Sequence, residues 1–248
     1  MKRGENMTEL FEGREIVVNA LVGSHAHNLQ TPESDRDFKL FVTPTFEDLF
    51  NGTMFSFADI SDTVDFSVHD VRKLGEQIWK GNINFLQVLF NPEGTHDNGL
   101  DFLFENRERI AQANIPNFLN STMGMHREKM STLHKGTGNT QHLIEKFGFD
   151  TKQAHHAIRC LFTIEKFWET DSMEKALWFN KGKKRTILMD IKAGKFTEAE
   201  VKAIAEEWFA KKWDGEMKKN FCDTELNWSV KEELNNFIFE FVKKKILG

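Results

Sequence analysis

Two neighbouring stretches decide how the amino-terminal part of this chain folds: Glu15-Ile16-Val17-Val18-Asn19-Ala20-Leu21-Val22-Gly23-Ser24, and Thr31-Pro32-Glu33-Ser34-Asp35-Arg36-Asp37-Phe38. Residues 15–22 are dense in β-branched and apolar side chains and stop at Gly-Ser, which predicts a strand closed by a tight turn. Asp37 to Val42 alternates and predicts a second strand, ended by Thr43-Pro44. Thr63 to His69 alternates strictly, with Val64, Phe66 and Val68 on one face and Asp65, Ser67 and His69 on the other. Asp70 is placed to cap a helix running to about Lys80, and Gly81-Asn82 stops it. Upstream of the first strand, residues 8–14 are expected to form a short helix.

Beyond residue 100 the apolar period changes from two to helical. Leu143 to Phe147, Ala154 to Trp168, Lys184 to Ile191, Thr197 to Trp213 and Val230 to Ile246 all carry it. Thr197-Glu198-Ala199-Glu200 has the form of a capping box. The expected fold class is therefore α+β: a small mixed β-sheet with flanking helices over residues 1–100, then a mostly helical carboxy-terminal region over 101–248. No repeat or low-complexity segment interrupts either part.

The 248 residues exceed the usual single-domain size of roughly 100–150, and 40% apolar with 29% charged residues is a globular balance. Apolar runs as short as Ala20-Leu21-Val22 and a mean hydropathy of −0.50 predict no membrane span. The basic residues of the amino terminus lack an apolar stretch behind them, so no signal peptide is expected and a cytoplasmic location is. Two cysteines, Cys160 and Cys222, sit in no metal-ligand or CxxC spacing, which argues against a disulfide scaffold or a structural zinc site. A formal charge of −5 argues against a protein that coats nucleic acid electrostatically, but not against an enzyme with a local basic patch. The chain has 24 Phe and no Tyr, so no phenol serves catalysis.

The chemistry concentrates at residues 23–37. Asp35 and Asp37, at i and i+2 of an extended segment, project to the same side. Adjacent carboxylates repel by several kcal/mol unless a cation or proton intervenes. A divalent ion is the natural neutraliser; Mg²⁺ takes one or two carboxylates and completes its shell with water and substrate phosphates. The competing reading is a solvated polar turn, since D-x-D alone is a common spacing. Gly23 and Ser24 offer backbone N–H groups and a hydroxyl to a phosphate. Asp65 adds a third carboxylate in mid-strand, where propensity disfavours it.

The pattern G-S-x-A-x-x-x-x-T-P-x-S-D-x-D over Gly23–Asp37 resembles the signature of the nucleotidyltransferase superfamily typified by DNA polymerase β. The resemblance is closer to a branch of predicted nucleotidyltransferases of bacteria and large phages, some grouped with RNA-repair genes, and extends over nearly the whole chain. Lys80-Gly81-Asn82 with Asn84 and Leu86 resembles one motif of that branch, with Gln87 standing where the family has Glu. Gly148-Phe149-Asp150-Thr151-Lys152 through Ala154, His156, Ile158 and Arg159 resembles another, with Phe149 in place of Tyr. His27-Asn28 departs from the family turn, which carries a glycine. The resemblance implies that Asp35, Asp37 and Asp65 hold two Mg²⁺ ions, with Mn²⁺ as a substitute, and that Asp65 helps deprotonate an acceptor hydroxyl. It implies that Gly23 and Ser24 cradle the phosphates of a nucleoside triphosphate, whose α-phosphorus is attacked with loss of pyrophosphate.

Lys152, His156 and Arg159 recur at i, i+4 and i+7 and share a helical face behind Asp150, a natural N-cap. They read either as a solvated basic stripe or, given their place in the motif, as phosphate ligands, Lys152 and Arg159 contacting the triphosphate. Lys39 shares the side of Asp37 and reads equally as a salt-bridge or a phosphate partner. His25 and His27 are read as turn residues rather than metal ligands. The runs His126–Lys129 and Lys181–Arg185 are read as charged surface, the second also as a candidate nucleic-acid patch, and the tryptophans as packing. The acceptor implied by the resemblance is an RNA or tRNA 3′ end. The rivals are adenylylation of a protein or small-molecule hydroxyl, and a non-catalytic nucleotide-binding module.

Overall fold

The computed structural model describes residues 11–60, 64–91, 93–136, 138–213 and 215–248. The chain is α+β and divides into two units, Met1–Ala113 with Asn227–Gly248, and Asn114–Leu226. The carboxy-terminal helix thus belongs with the sheet, where a division at residue 100 assigns it to the helical region.

In the first unit β1 (Ile16–Val22) runs into a single helical turn, α1 (Gly23–Ala26), and then β2 (Arg36–Val42), α2 (Phe46–Asn51), β3 (Ser56–Ile60) and β4 (Val64–Asp70) follow. Helices α3 (Arg72–Trp79) and α4 (Ile83–Leu89), the two-residue β5 (Thr95–His96), a 3₁₀ turn at Asn98–Leu100, α5 (Asp101–Glu105) and α6 (Arg107–Ala111) complete the run. The strand order is β3-β4-β2-β1-β5, with β2 and β4 parallel and every other pair antiparallel. One face of the sheet is apolar: Leu40, Val42 and Val68 pack with Phe11, and Phe55, Phe57 and Phe66 extend the cluster. The alternation of β4 puts Asp65, Ser67 and His69 on the opposite face.

Thr45 and Asp48 form a reciprocal capping box at the start of α2. The Asp48 carboxylate also receives two hydrogen bonds of 2.9 Å from the buried Arg14 guanidinium, which ties the entry to β1 to that helix. Asp70 ends β4 instead of occupying the expected N-cap of α3, a place taken by Val71, but its carboxylate accepts the Arg72 N–H at 2.9 Å just inside the helix. Residues 8–10 lie outside the described residues, and Phe11–Gly13 make a turn where a short helix was expected.

The second unit is helical: α7 (Ile115–Ser131), α8 (Gln141–Phe147), α9 (Thr151–Thr170), α10 (Met173–Leu177), α11 (Lys183–Lys192), α12 (Glu198–Trp208) and α13 (Glu216–Asp223). Its axis is α9, buried through most of its length and packed on α7, α10 and α11. Asp150 caps α9 by accepting the Gln153 N–H at 3.0 Å. The capping box opens α12 as read from the sequence, but the helix stops at Trp208 and Phe209–Trp213 form a π turn. Back in the first unit, α14 (Trp228–Leu247) lies on α3, with Leu234 and Ile238 against the buried Gly75. Arg109–Glu233 at 2.7 Å and Lys245–Asp97 at 2.7 Å tie it further.

No helix among the described residues is long and apolar enough to cross a membrane.

Candidate active site

The turn after β1 is shaped by two left-handed residues. Gly23 has φ +68°, and a Cβ built on it would lie 2.1 Å from Asp37 Oδ2. The glycine therefore gives its side-chain space to the carboxylate. Leu29 N–H returns to the Ser24 carbonyl at 2.9 Å and closes the loop. Asn28 takes φ +57°; asparagine is among the few non-glycine residues that adopt this conformation readily. Thr31-Pro32-Glu33-Ser34 is a second turn. Ser34 N–H donates to the Thr31 carbonyl at 3.0 Å, and Ser34 Oγ accepts the Thr31 N–H at 2.9 Å. It delivers the chain into β2 with the carboxylates at its start.

Asp37 pairs in register with Asp65 on the adjacent parallel strand, and Val22, the last residue of β1, pairs with Asp37 on its other side. In-register neighbours project from the same face, so two carboxylates remote in sequence meet at one level, beside Gly23. Both are half-buried, whereas Asp35, just before the strand, is exposed. Among the described residues, no group of three or more His, Cys, Asp or Glu side chains is gathered to hold a metal ion. The donor chemistry nevertheless fits Mg²⁺, a hard ion needing only one or two carboxylates from a protein. The glycine cradle fixes the position of one of them.

One step further into the sheet, Lys39 pairs with Ser67, and then Phe41 with His69. The Lys39 ammonium lies 3.5 Å from His69 Nε2 and 4.4 Å from the centre of the Phe85 ring, which α4 contributes. Accepting from an ammonium leaves the His69 proton on Nδ1, which faces Ser56 Oγ at 3.4 Å. Burial, then the charges of Lys39 and Lys73, push His69 down to about 4. Burial also lowers Lys39. Among the described residues, Lys39 meets a neutral imidazole and an aromatic face instead of the carboxylate of a salt bridge. Sequence reading put His69 and Lys39 on polar strand faces but offered no signal for their meeting, and none for Phe85.

Lys152, His156 and Arg159 lie in the other unit, on α9. The stripe runs inward rather than across solvent: Lys152 is exposed, His156 half-buried, and Arg159 only 4% exposed. Among the described residues no hydrogen-bond partner meets the buried Arg159 Nε. Burial lowers the pKa of this guanidinium, and no carboxylate offsets the effect. His156 is held well below the ordinary imidazole range by burial first, and next by Arg159.

His126 corrects a sequence reading. It is not surface but buried, with Nδ1 3.0 Å from the Ala157 carbonyl. In the Lys181–Arg185 run, Lys184 is neutralised by Glu169 at 2.7 Å and Glu165 at 3.5 Å. Lys80-Gly81-Asn82 ends one helix and opens the next: Gly81 has φ +63°, and Asn82 Oδ1 accepts the Asn84 N–H at 3.0 Å. That motif has a structural role, and its Gln87 is buried with Nε2 donating to the Asn84 carbonyl.

No protein-family model matches the chain, and no curated protein matches it.

Proposed function

We propose that the chain is a Mg²⁺-dependent nucleotidyltransferase that moves a nucleoside monophosphate from a nucleoside triphosphate to a hydroxyl acceptor, releasing pyrophosphate. The observation that carries this reading is the in-register pair Asp37–Asp65 beside a glycine whose Cβ position Asp37 fills. Asp37 and Asp65 would hold the cation, and Asp35, exposed just before the strand, is not gathered with them. Bound Mg²⁺ there supplies charge neutralisation between carboxylates and phosphates and polarises the reacting phosphoryl group. Asp65 takes the proton of the acceptor hydroxyl, a role open to a half-buried carboxylate within reach of the attacking oxygen. Gly23 and Ser24 present backbone N–H groups and a hydroxyl to the β- and γ-phosphates. Lys39 sets a positive charge one side-chain level away. Positioning and electrostatics of this kind supply most of the rate in phosphoryl chemistry.

The acceptor we favour is an RNA 3′ end, such as that of a cleaved tRNA, in the cytoplasm. The test incubates the protein with α-labelled nucleoside triphosphates, Mg²⁺ and pooled tRNA. Label on RNA that disappears in Asp37→Asn supports the proposal. Label on polypeptide would move it to protein adenylylation. Transfer that survives Asp37→Asn, or no transfer to any acceptor, overturns it.

A further inference from the structure

Arg159 is a charge in the wrong place for a merely structural residue. A guanidinium taken out of water costs several kcal/mol unless hydrogen bonds and a counter-charge compensate. Arg159 is 4% exposed, its Nε has no acceptor, and no Asp or Glu among the described residues is paired with it. The groups around it add to the imbalance. His156 precedes Arg159 by three residues on the same face of α9, and Lys129 stands on α7, the helix packed on α9, with its charge felt at His156 and Cys160. One carboxylate, Glu128, acts on Cys160, and it is tied to Lys129 at 3.1 Å on the more exposed side. Cys160 is buried and remains a thiol, since burial pushes it up to about 11.

We infer that Arg159, His156 and Lys129 form an anion site built into the helical unit, and that its ligand is a terminal phosphate. A compact dianion satisfies the orphaned guanidinium with charge-assisted hydrogen bonds, and His156 donates through whichever nitrogen carries its proton. A backbone phosphodiester must run in and out of its binding groove. An almost fully buried arginine instead favours a group that ends there: the γ-phosphate of a nucleoside triphosphate, or the phosphorylated end of an oligonucleotide. The site lies wholly within the helical unit and goes beyond the nucleotidyl-transfer reading. It does not require the carboxylates of the sheet or a metal ion.

The experiment measures binding by calorimetry in EDTA, using inorganic pyrophosphate, ATP, and a short oligoribonucleotide with either a 5′-phosphate or a 5′-hydroxyl. Pyrophosphate and at least one of ATP and the 5′-phosphorylated oligonucleotide should bind, the 5′-hydroxyl form at least about tenfold more weakly. ATP binding assigns the site to the nucleotide, and preference for the phosphorylated oligonucleotide assigns it to an acceptor or donor end. Arg159→Met should abolish binding without lowering the thermal midpoint of the unliganded protein, because it removes an uncompensated buried charge. If that variant fails to fold, Lys129→Met carries the test, with a Kd raised about tenfold and an unchanged midpoint. Asp37→Asn should lose transfer yet bind these probes in EDTA as the parent does, which separates this site from the catalytic reading. No binding to the parent protein, equal binding of the two oligonucleotides without binding of ATP, or undiminished binding in the folded variants overturns it.

Discussion

Gly23 and Asp37 occupy one another's space, and this fixes what a single methyl group would do. With 2.1 Å between a Cβ at residue 23 and Asp37 Oδ2, the substitution Gly23→Ala must move either the turn or the carboxylate. A displacement of about 1 Å at a reacting centre lowers rates by about 100-fold. The expected outcome is a comparable loss of nucleotidyl transfer together with about 1 kcal/mol lost in urea denaturation, since alanine is strained at φ +68°. Unchanged transfer would show that this carboxylate position does not matter. At this scale the carboxylates and the glycine were legible because their types and spacing carry chemistry by themselves. The meeting of Lys39 with His69 was not, because alternation tells which face a residue takes but not which strand lies beside it. Arg159 was legible as part of a stripe; its burial was not, since that depends on what packs over α9. Asn28 shows the converse: its left-handed backbone is open to asparagine, so the turn closes without a second glycine.

Among the secondary-structure elements, β1, β2 and β4 appear within a residue or so of the strands read from their alternation. β3 was passed over although Ser56–Ile60 is part of the sheet, and β5 is two residues long, too short to leave a periodic signal. Helix α7 was missed because its buried positions include Thr122 and His126 among charged neighbours, which blurs the apolar stripe. The π turn at Phe209–Trp213 lies in what reads as one continuous helix, since its residues keep a helical apolar period. The Arg14–Asp48 pair is the joint most exposed to a single change. Asp48 is held far below the usual carboxylate range, first by the Arg14 hydrogen bond, and both side chains are less than a tenth exposed. Removing one charge of a buried pair costs about 3 kcal/mol or more. Asp48→Asn should therefore lower the urea midpoint by a corresponding amount with an unchanged m-value, and a loss under about 1 kcal/mol would contradict the role given to this pair.

For the whole molecule, histidines kept neutral by burial or partial burial set the acid limit of stability. His155 is held down to about 3 and His69 to about 4, in both cases chiefly by burial, and His126 and His156 are also lowered. Groups held neutral in the folded state favour folding above their unfolded pKa, near 6.5. As pH falls below that value the unfolded chain binds protons that the native chain does not, and stability declines. His155 alone sets a slope of at most about 1.4 kcal/mol per pH unit in this window. Asp48 extends the loss below about pH 4, as pH drops through its unfolded value. Urea denaturation should thus give a lower stability at pH 5 than at pH 7, before carboxylates titrate, and a flat profile between them would contradict the burial of these rings. The central claim is narrower: Asp37 and Asp65, brought together by parallel strands, hold a divalent cation. The most direct measurement is a titration with Mn²⁺ followed by electron paramagnetic resonance, on the parent protein and on Asp37→Asn with Asp65→Asn. The account predicts bound Mn²⁺ in the parent, displaced by excess Mg²⁺ and absent from the folded double variant; equal Mn²⁺ binding by both proteins, or none by the parent, would contradict it.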